Sequence, residues 1–215
     1  MAGKSRLLLL GGTNTGSSAG LVDLSRTDLS NCVTVTDLPE MLSESAGGFV
    51  GGKPVICGGR NGPAYRDGSA SCYEYDIATS TWVLTATIPD HRRGMASVQI
   101  DDDTLWMSGG IKLTSSAVST QKTGYNYNAG SSPILTTGQG FTFPGRVYHC
   151  MVKISDTQYF LAGTGYTGQF RRNFIFNGDP SIPMGSWTEL PQLAEGRNTP
   201  FCGLVTRGNG VQEVI

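Results

Sequence analysis

No stretch of this 215-residue chain approaches the ~18 consecutive apolar residues of a membrane span. Leu7 to Leu10 are too few for the ~7–15 apolar residues of a signal-peptide core, so a start at Met1 gives no secretion signal, although a fragment would have lost one. Long amphipathic helical stretches are missing. Only His91 and His149 could serve as imidazole ligands or bases, and the five cysteines include no C-x-x-C pair. With no His cluster beside them, a zinc site lacks its ligands. No N-x-[ST] acceptor occurs, which leans toward an unglycosylated setting. Sixteen basic residues face 17 acidic ones, a net charge of −1, so composition supplies no attraction to nucleic acid.

Glycine is what the chain has in excess: 30 residues, about twice the usual ~7%. Two signals recur in phase about every fifty residues. One is an apolar residue followed by proline, at Leu38-Pro39, Ile88-Pro89, Phe143-Pro144 and Leu190-Pro191. The other is an apolar run ending in glycines: Leu7 to Gly12, Val55 to Gly59, Leu105 to Gly110 and Tyr159 to Gly165. Such a period marks one supersecondary unit that buries its faces by stacking on copies of itself.

Within each unit the pattern is that of strands. Residues 95–100 and 104–108 flank Asp101-Asp102-Asp103 as a hairpin. The hairpin recurs over 148–154 and 157–162, and again over 200–206 and 211–215. After each glycine pair come a polar loop and an alternating aromatic segment such as Cys72-Tyr73-Glu74-Tyr75. A turn over 76–80 then leads to a strand opening with Trp82. Four antiparallel strands per unit, a to d, describe the blades of a β-propeller, with almost no helix.

Gly58-Gly59 followed by Tyr75 and, seven positions later, Trp82 resembles the kelch repeat, as does Arg146-Val147-Tyr148-His149-Cys150 at the start of a first strand. The resemblance covers nearly the whole chain. It departs in the third unit, which has no Trp after Tyr127, and in the fourth, where four extra residues separate Phe176 from Trp187 and Gly-Thr-Gly replaces the glycine pair. The expected fold is all-β, a kelch-type propeller. Its units are a partial blade over 1–38 (strands b, c, d), blades over 39–88, 89–143 and 144–190, and a partial blade over 191–215 (strands a, b). Kelch propellers usually have more blades than this, so the resemblance implies an incomplete arc of about four. The alternative is a closed four-bladed ring, with the last strand a completing the first blade.

Several motifs weigh less than they first suggest. Gly163 to Gly168 matches G-x-G-x-x-G, but a dinucleotide site needs a helix to begin there, and the following residues read as strand and turn. No cofactor is expected. The glycine pairs serve a sharp bend that requires positive φ, and Trp82 and Trp187 fill gaps between blades. Asp101 to Asp103 read as a solvated turn, since a calcium loop needs alternating oxygen ligands. Nothing marks a nucleophile, and no enzyme activity is expected.

Arginine placement is more suggestive. The b–c and d–a loops share one end of a blade, which places Arg60, Asn61, Tyr65, Arg66, Arg92, Arg93, Arg146, Tyr148, Arg197 and Asn198 on one face. Guanidinium groups around a concavity suit carboxylate or phosphate recognition. The expected function is therefore a non-catalytic scaffold binding a protein or acidic peptide. The alternative, implied by kelch-like copper oxidases, is part of an oxidase or carbohydrate-active enzyme whose other site residues lie in further blades. Cys57 and Cys72 flank one loop and can pair, whereas Cys150 and Cys202 read as small buried packing residues. The compartment, cytoplasmic or extracellular, turns on whether Cys57 and Cys72 are bridged.

Overall fold

Two of the apolar runs that end in glycine, Val55–Gly59 and Leu105–Gly110, become central strands buried on both faces. The computed structural model describes residues 6–10, 17–23, 32–64, 67–114, 117–130, 134–165, 171–182, 185–208 and 210–215. In chain order the strands of the first two sheets are β1 (Arg6–Leu10), β2 (Ala19–Asp23), β3 (Cys32–Val35), β4 (Ala46–Val50), β5 (Lys53–Gly59), β6 (Ser69–Asp76) and β7 (Thr81–Thr87). The next sheet holds β8 (Arg92–Asp101), β9 (Thr104–Leu113), β10 (Val118–Thr120), β11 (Gly124–Asn128) and β12 (Ile134–Gly138). The last strands are β13 (Arg146–Ser155), β14 (Gln158–Gly165), β15 (Asn173–Asn177), β16 (Ser186–Glu189), β17 (Leu204–Thr206) and β18 (Gln212–Val214). The described residues contain no helix.

These strands form antiparallel meanders in the orders β1-β2-β3, β4-β5-β6-β7, β8-β9-β11-β12, β13-β14-β15-β16 and β17-β18. The short β10 adds to the end of β9, where Val118 pairs with Leu113. Its residues belong to a longer b–c loop that folds back on its own strand. First strands of successive sheets touch one another, β4 with β8, β8 with β13, and β13 with β17. That is the arrangement of propeller blades around an axis, with strand a innermost.

The core lies between sheets rather than within them. Leu38, Leu42, Ile56, Tyr73, Tyr75 and Trp82 pack the side of the second sheet that faces Val35 of the first. Val55, Ile88, Leu105, Met107 and Tyr127 join the second sheet to the third. Trp106, Phe141, Phe143, Tyr159, Phe174 and Phe176 join the third to the fourth. The proline-pair residues Leu38, Ile88 and Phe143 are thus buried plugs. Two indoles bridge neighbouring units. Trp82 donates its Nε1 hydrogen to the carbonyl of Thr36 at 2.9 Å, and Trp187 donates to that of Gly140 at 2.9 Å.

The glycines serve these junctions in two ways. Gly58 (φ 60°) and Gly109 (φ 66°) are left-handed. A Cβ on Gly58 would also come within 2.6 Å of the Arg92 carbonyl, and one on Gly109 within 2.5 Å of the Arg146 carbonyl. Each therefore admits the first strand of the next sheet to close approach, besides bending its own. Gly163–Gly165 closes β14, while residues 166–168 of the G-x-G-x-x-G match lie outside the described residues.

Cys57 and Cys72 are directly paired across β5 and β6 and disulfide-bonded, with Cα atoms 4.1 Å apart. The reading of Cys150 and Cys202 as unpaired packing residues is corrected. They too are bonded, Cα to Cα 5.7 Å across a separation of 52 residues. Residues 201–203 belong to no strand, so Cys202 sits on a segment crossing to β13 rather than on a ladder position beside Cys150. Two such bridges are compatible with an extracellular protein.

Candidate functional site

Antiparallel order dictates that each first strand begins, and each second strand ends, at the same end of its sheet. Arg60 and Asn61 follow β5, Arg92 and Arg93 open β8, Arg146 opens β13 with Tyr148 two residues on, and Arg197 and Asn198 precede β17. Tyr65 and Arg66 lie outside the described residues. The opposite end carries the hairpin turns, including the exposed Asp102-Asp103. Placement at one end does not make the arginines equivalent. Arg92, Arg93 and Arg146 are buried, Arg60 and Tyr148 are half-buried, and Asn61, Arg197 and Asn198 are exposed.

A repeated backbone feature explains the difference. Glu44 (φ 59°), Gly94 (66°), Tyr148 (52°) and Thr199 (49°) are left-handed and stand at corresponding points before or within each first strand. Two residues earlier come Leu42, Arg92, Arg146 and Arg197. Four residues earlier come Glu40, Asp90, Pro144 and Glu195. An acid–x–Arg element thus recurs, complete in two units and altered in two.

Arg92 shows the complete form. Its Nε and one terminal nitrogen donate to the two Asp90 carboxylate oxygens, both at 2.8 Å. The remaining donors reach the carbonyls of Gly109 and Thr123, the Thr123 hydroxyl at 3.0 Å and the Tyr125 hydroxyl at 3.1 Å. A bidentate carboxylate and four further acceptors compensate the burial of this guanidinium. Lys112, 41% exposed, stands 3.5 Å from the same Asp90 carboxylate. Burial raises the Tyr125 phenol above its ordinary range, with Arg92 opposing.

In the second unit Leu42 replaces arginine, and Glu40 turns to other donors. It accepts from the Ser69 hydroxyl at 2.7 Å, the Tyr73 hydroxyl at 3.1 Å and the Asn61 amide at 3.1 Å. Arg60 donates to the carbonyls of Gly62 and Pro63, tying down the loop that carries Asn61. In the fourth unit Pro144 removes the acid, and Arg146 lies over the rings of Phe143 and Phe174 at 5.4 and 5.3 Å. Burial first, then the nearby Arg172, lowers its pKa to about 10, which leaves it charged at neutral pH. Beside it, His149 accepts or donates at Nε2 with the Ser108 hydroxyl, 3.1 Å away. Burial, with Arg146 adding, lowers the His149 pKa to about 3, so this imidazole is neutral.

The innermost strands meet in a three-unit cluster. The Glu44 carboxylate accepts from Arg93 at 2.7 Å and from the Tyr148 hydroxyl at 2.6 Å. Arg93 and the Tyr148 oxygen are 3.3 Å apart. One acidic side chain thus ties together the first strands of three consecutive sheets. Sequence reasoning overlooked Glu40, Glu44, Asp90, Lys112 and Tyr125, which balance or share the charge at this end. The acid two residues before Arg92 and Arg197 was the signal that could have found Asp90 and, by its place in the repeat, Glu40; Glu44, Lys112 and Tyr125 carry no such signal. Among the described residues no three His, Cys, Asp or Glu side chains gather as metal ligands.

No protein-family model matches the sequence, and no curated protein matches it. Solved structures do resemble it. The structure of YjhT aligns with a TM-score of 0.77 at 13% identity, over 94% of this chain and 67% of that one. A fungal alcohol oxidase of the AA5 family, solved in complex with copper, aligns with a TM-score of 0.71 at 16% identity, over 99% of this chain and 44% of that one. This chain therefore spans about two thirds of the first and less than half of the second. Likeness at such identities speaks for the fold: the chain is all-β, built of antiparallel four-stranded sheets in β-propeller fashion.

Proposed function

We propose that this chain is a binding scaffold of kelch type, presenting the loop end of its blades to a protein or peptide. The supporting observation is the Glu44–Arg93–Tyr148 cluster, a charged hydrogen-bonded group spanning three blades at the innermost strands. A platform held this way binds without first having to order itself, which lowers the entropic cost of association. Because Arg92, Arg93 and Arg146 are buried, recognition of an acidic ligand falls to the side chains that reach solvent: Arg60, Lys112 and Arg197. Lys112 and Arg197 each lie beside a carboxylate, so the ligand's acidic groups compete with Asp90 and Glu195 for them, whereas Arg60 is held by the carbonyls of Gly62 and Pro63. The two disulfides favour an oxidising, extracellular setting.

A pool of fluorescent acidic peptides, with a basic pool as control, tests the reading by titration at low and high salt. Acidic peptides binding preferentially, with affinity falling as salt rises and falling again in Arg60→Glu with Lys112→Glu, is the expected result. Indifference of binding to the double charge reversal would place recognition elsewhere. The second reading, part of a propeller enzyme, is favoured by the structural likeness to the copper-bound oxidase. Release of hydrogen peroxide from alcohols by copper-supplemented protein would favour it over the scaffold.

A further inference from the structure

An asparagine followed by glycine can close on itself, because glycine has no Cβ to obstruct attack of its amide nitrogen on the asparagine side chain. The chain holds three such pairs, Asn61-Gly62, Asn177-Gly178 and Asn209-Gly210. Asn209 lies outside the described residues, and the other two stand in opposite settings. Asn177 closes β15, paired with Gln158 on one side and Ser186 on the other. Its side-chain oxygen accepts from the Gln158 amide at 2.9 Å. The Gly178 amide, which would have to attack, donates to the Thr157 carbonyl at 2.9 Å. Asn61 is exposed, on the loop between β5 and β6. No carbonyl among the described residues accepts from the Gly62 amide. A Cβ at residue 62 would meet the Asp67 carboxylate, itself held by the Ala64 amide at 2.6 Å, so the loop as folded favours glycine there. The Asn61 side-chain nitrogen donates to Oε2 of Glu40 at 3.1 Å, while Ser69 and Tyr73 donate to Oε1. Next to this contact Ser43 and Arg60 exchange backbone hydrogen bonds.

We propose that Asn61 is a self-modification site, at which loss of the side-chain amide unties the β5–β6 loop from Glu40. The Gly62 nitrogen attacks Cγ of Asn61, and its hydrogen passes by way of solvent to the side-chain nitrogen. The bond from Cγ to that nitrogen breaks and ammonia leaves, which closes a succinimide ring. Water then adds to either ring carbonyl and a C–N bond opens, leaving aspartate or isoaspartate. Nothing is oxidised or reduced, and water is the co-reactant. Either product puts a carboxylate where Glu40 had a donor, so the contact that held the loop becomes a repulsion between like charges. Isoaspartate also lengthens the main chain beside the Ser43–Arg60 bridge. The loop end of the second sheet gains a negative charge, whether or not that end binds a peptide.

The test incubates the full chain in mildly alkaline buffer and follows both asparagines by peptide mapping, with electron-transfer fragmentation to tell isoaspartate from aspartate. Because the Gly178 amide must first break its hydrogen bond, Asn61 should convert about tenfold or more faster than Asn177. Equal rates, or conversion of Asn177 first, would overturn the site. Asn61→Asp supplies one product directly. In hydrogen exchange its Ser43 and Arg60 amides should exchange about tenfold faster than the parent's. Exchange at the parent's rate would overturn the untying. Adding Glu40→Gln to Asn61→Asp restores a donor–acceptor pair in the reverse sense. The new amide donates to the carboxylate at 61, while its oxygen still accepts from Ser69 and Tyr73. Exchange should then return toward the parent's rate, and failure of that rescue would count against Glu40 as the tie.

Discussion

Replacing Asp90 by alanine leaves the Arg92 guanidinium, 1% exposed, without its bidentate carboxylate. Removing one partner of a buried ion pair typically costs ~3–5 kcal/mol, because the remaining charge stays desolvated. Arg92 keeps the carbonyls of Gly109 and Thr123 and the hydroxyls of Thr123 and Tyr125, so the lower bound applies, about 3 kcal/mol. For a chain of this length ~1 kcal/mol moves Tm by ~2–4 °C, so the variant should melt about 6–12 °C lower. The second unit supplies the compensating change, since Leu42 stands fully buried at the position of Arg92. Combining Asp90→Ala with Arg92→Leu should therefore be milder than Asp90→Ala alone. Urea unfolding followed by tryptophan fluorescence and circular dichroism measures both variants, with coincident transitions required for the comparison. An Asp90→Ala variant within ~0.5 kcal/mol of the parent, or a double variant less stable than the single, would refute the charge-burial reasoning.

Two further outcomes are expected. The folded pKa of His149, about 3, lies below its usual ~6.5, so the unfolded chain binds the extra proton and stability falls as pH drops through that window. The loss should be up to ~1.4 kcal/mol per pH unit between those values; urea midpoints across the acid range measure it, and in His149→Gln that component of the slope should vanish. Gly109→Ala should destabilise by about 2 kcal/mol or more, from the left-handed backbone and the Arg146 carbonyl in its path. A thermal melt of Gly109→Ala matching the parent would show that the approach of the next sheet is not constrained there.

Periodicity made the strands legible because both faces of a central strand are buried between sheets. Val55 to Gly59 therefore reads as an unbroken apolar run, which a half-solvated sheet would not produce. The extra strand β10 was not legible, since Val118 to Thr120 is too short and polar to signal a strand without the end of β9 beside it. Loop phase gave the positions of the arginines along the chain but not their burial. Whether Arg92 faces solvent depends on Asp90 and Tyr125 closing around it, and those contacts join residues up to 33 positions apart. The Cys150–Cys202 bond was hidden for a related reason. Strand phase pointed to two ladder positions, and only the crossing of residues 201–203 outside any ladder brings the sulfurs together.

The left-handed residue at the start of each first strand has a further consequence. Only one of the four, Gly94, is glycine, and the others are Glu44, Tyr148 and Thr199. The kink thus does not depend on one residue type, although at Gly94 a Cβ would come within 2.6 Å of the Val147 side chain, so that position is closed to change as it stands. Two of these letters already meet across blades, Glu44 accepting from the Tyr148 hydroxyl. Four units therefore repeat one backbone turn with different side chains on it, and at Glu44 and Tyr148 the side chain chosen there decides which neighbouring sheet it is tied to.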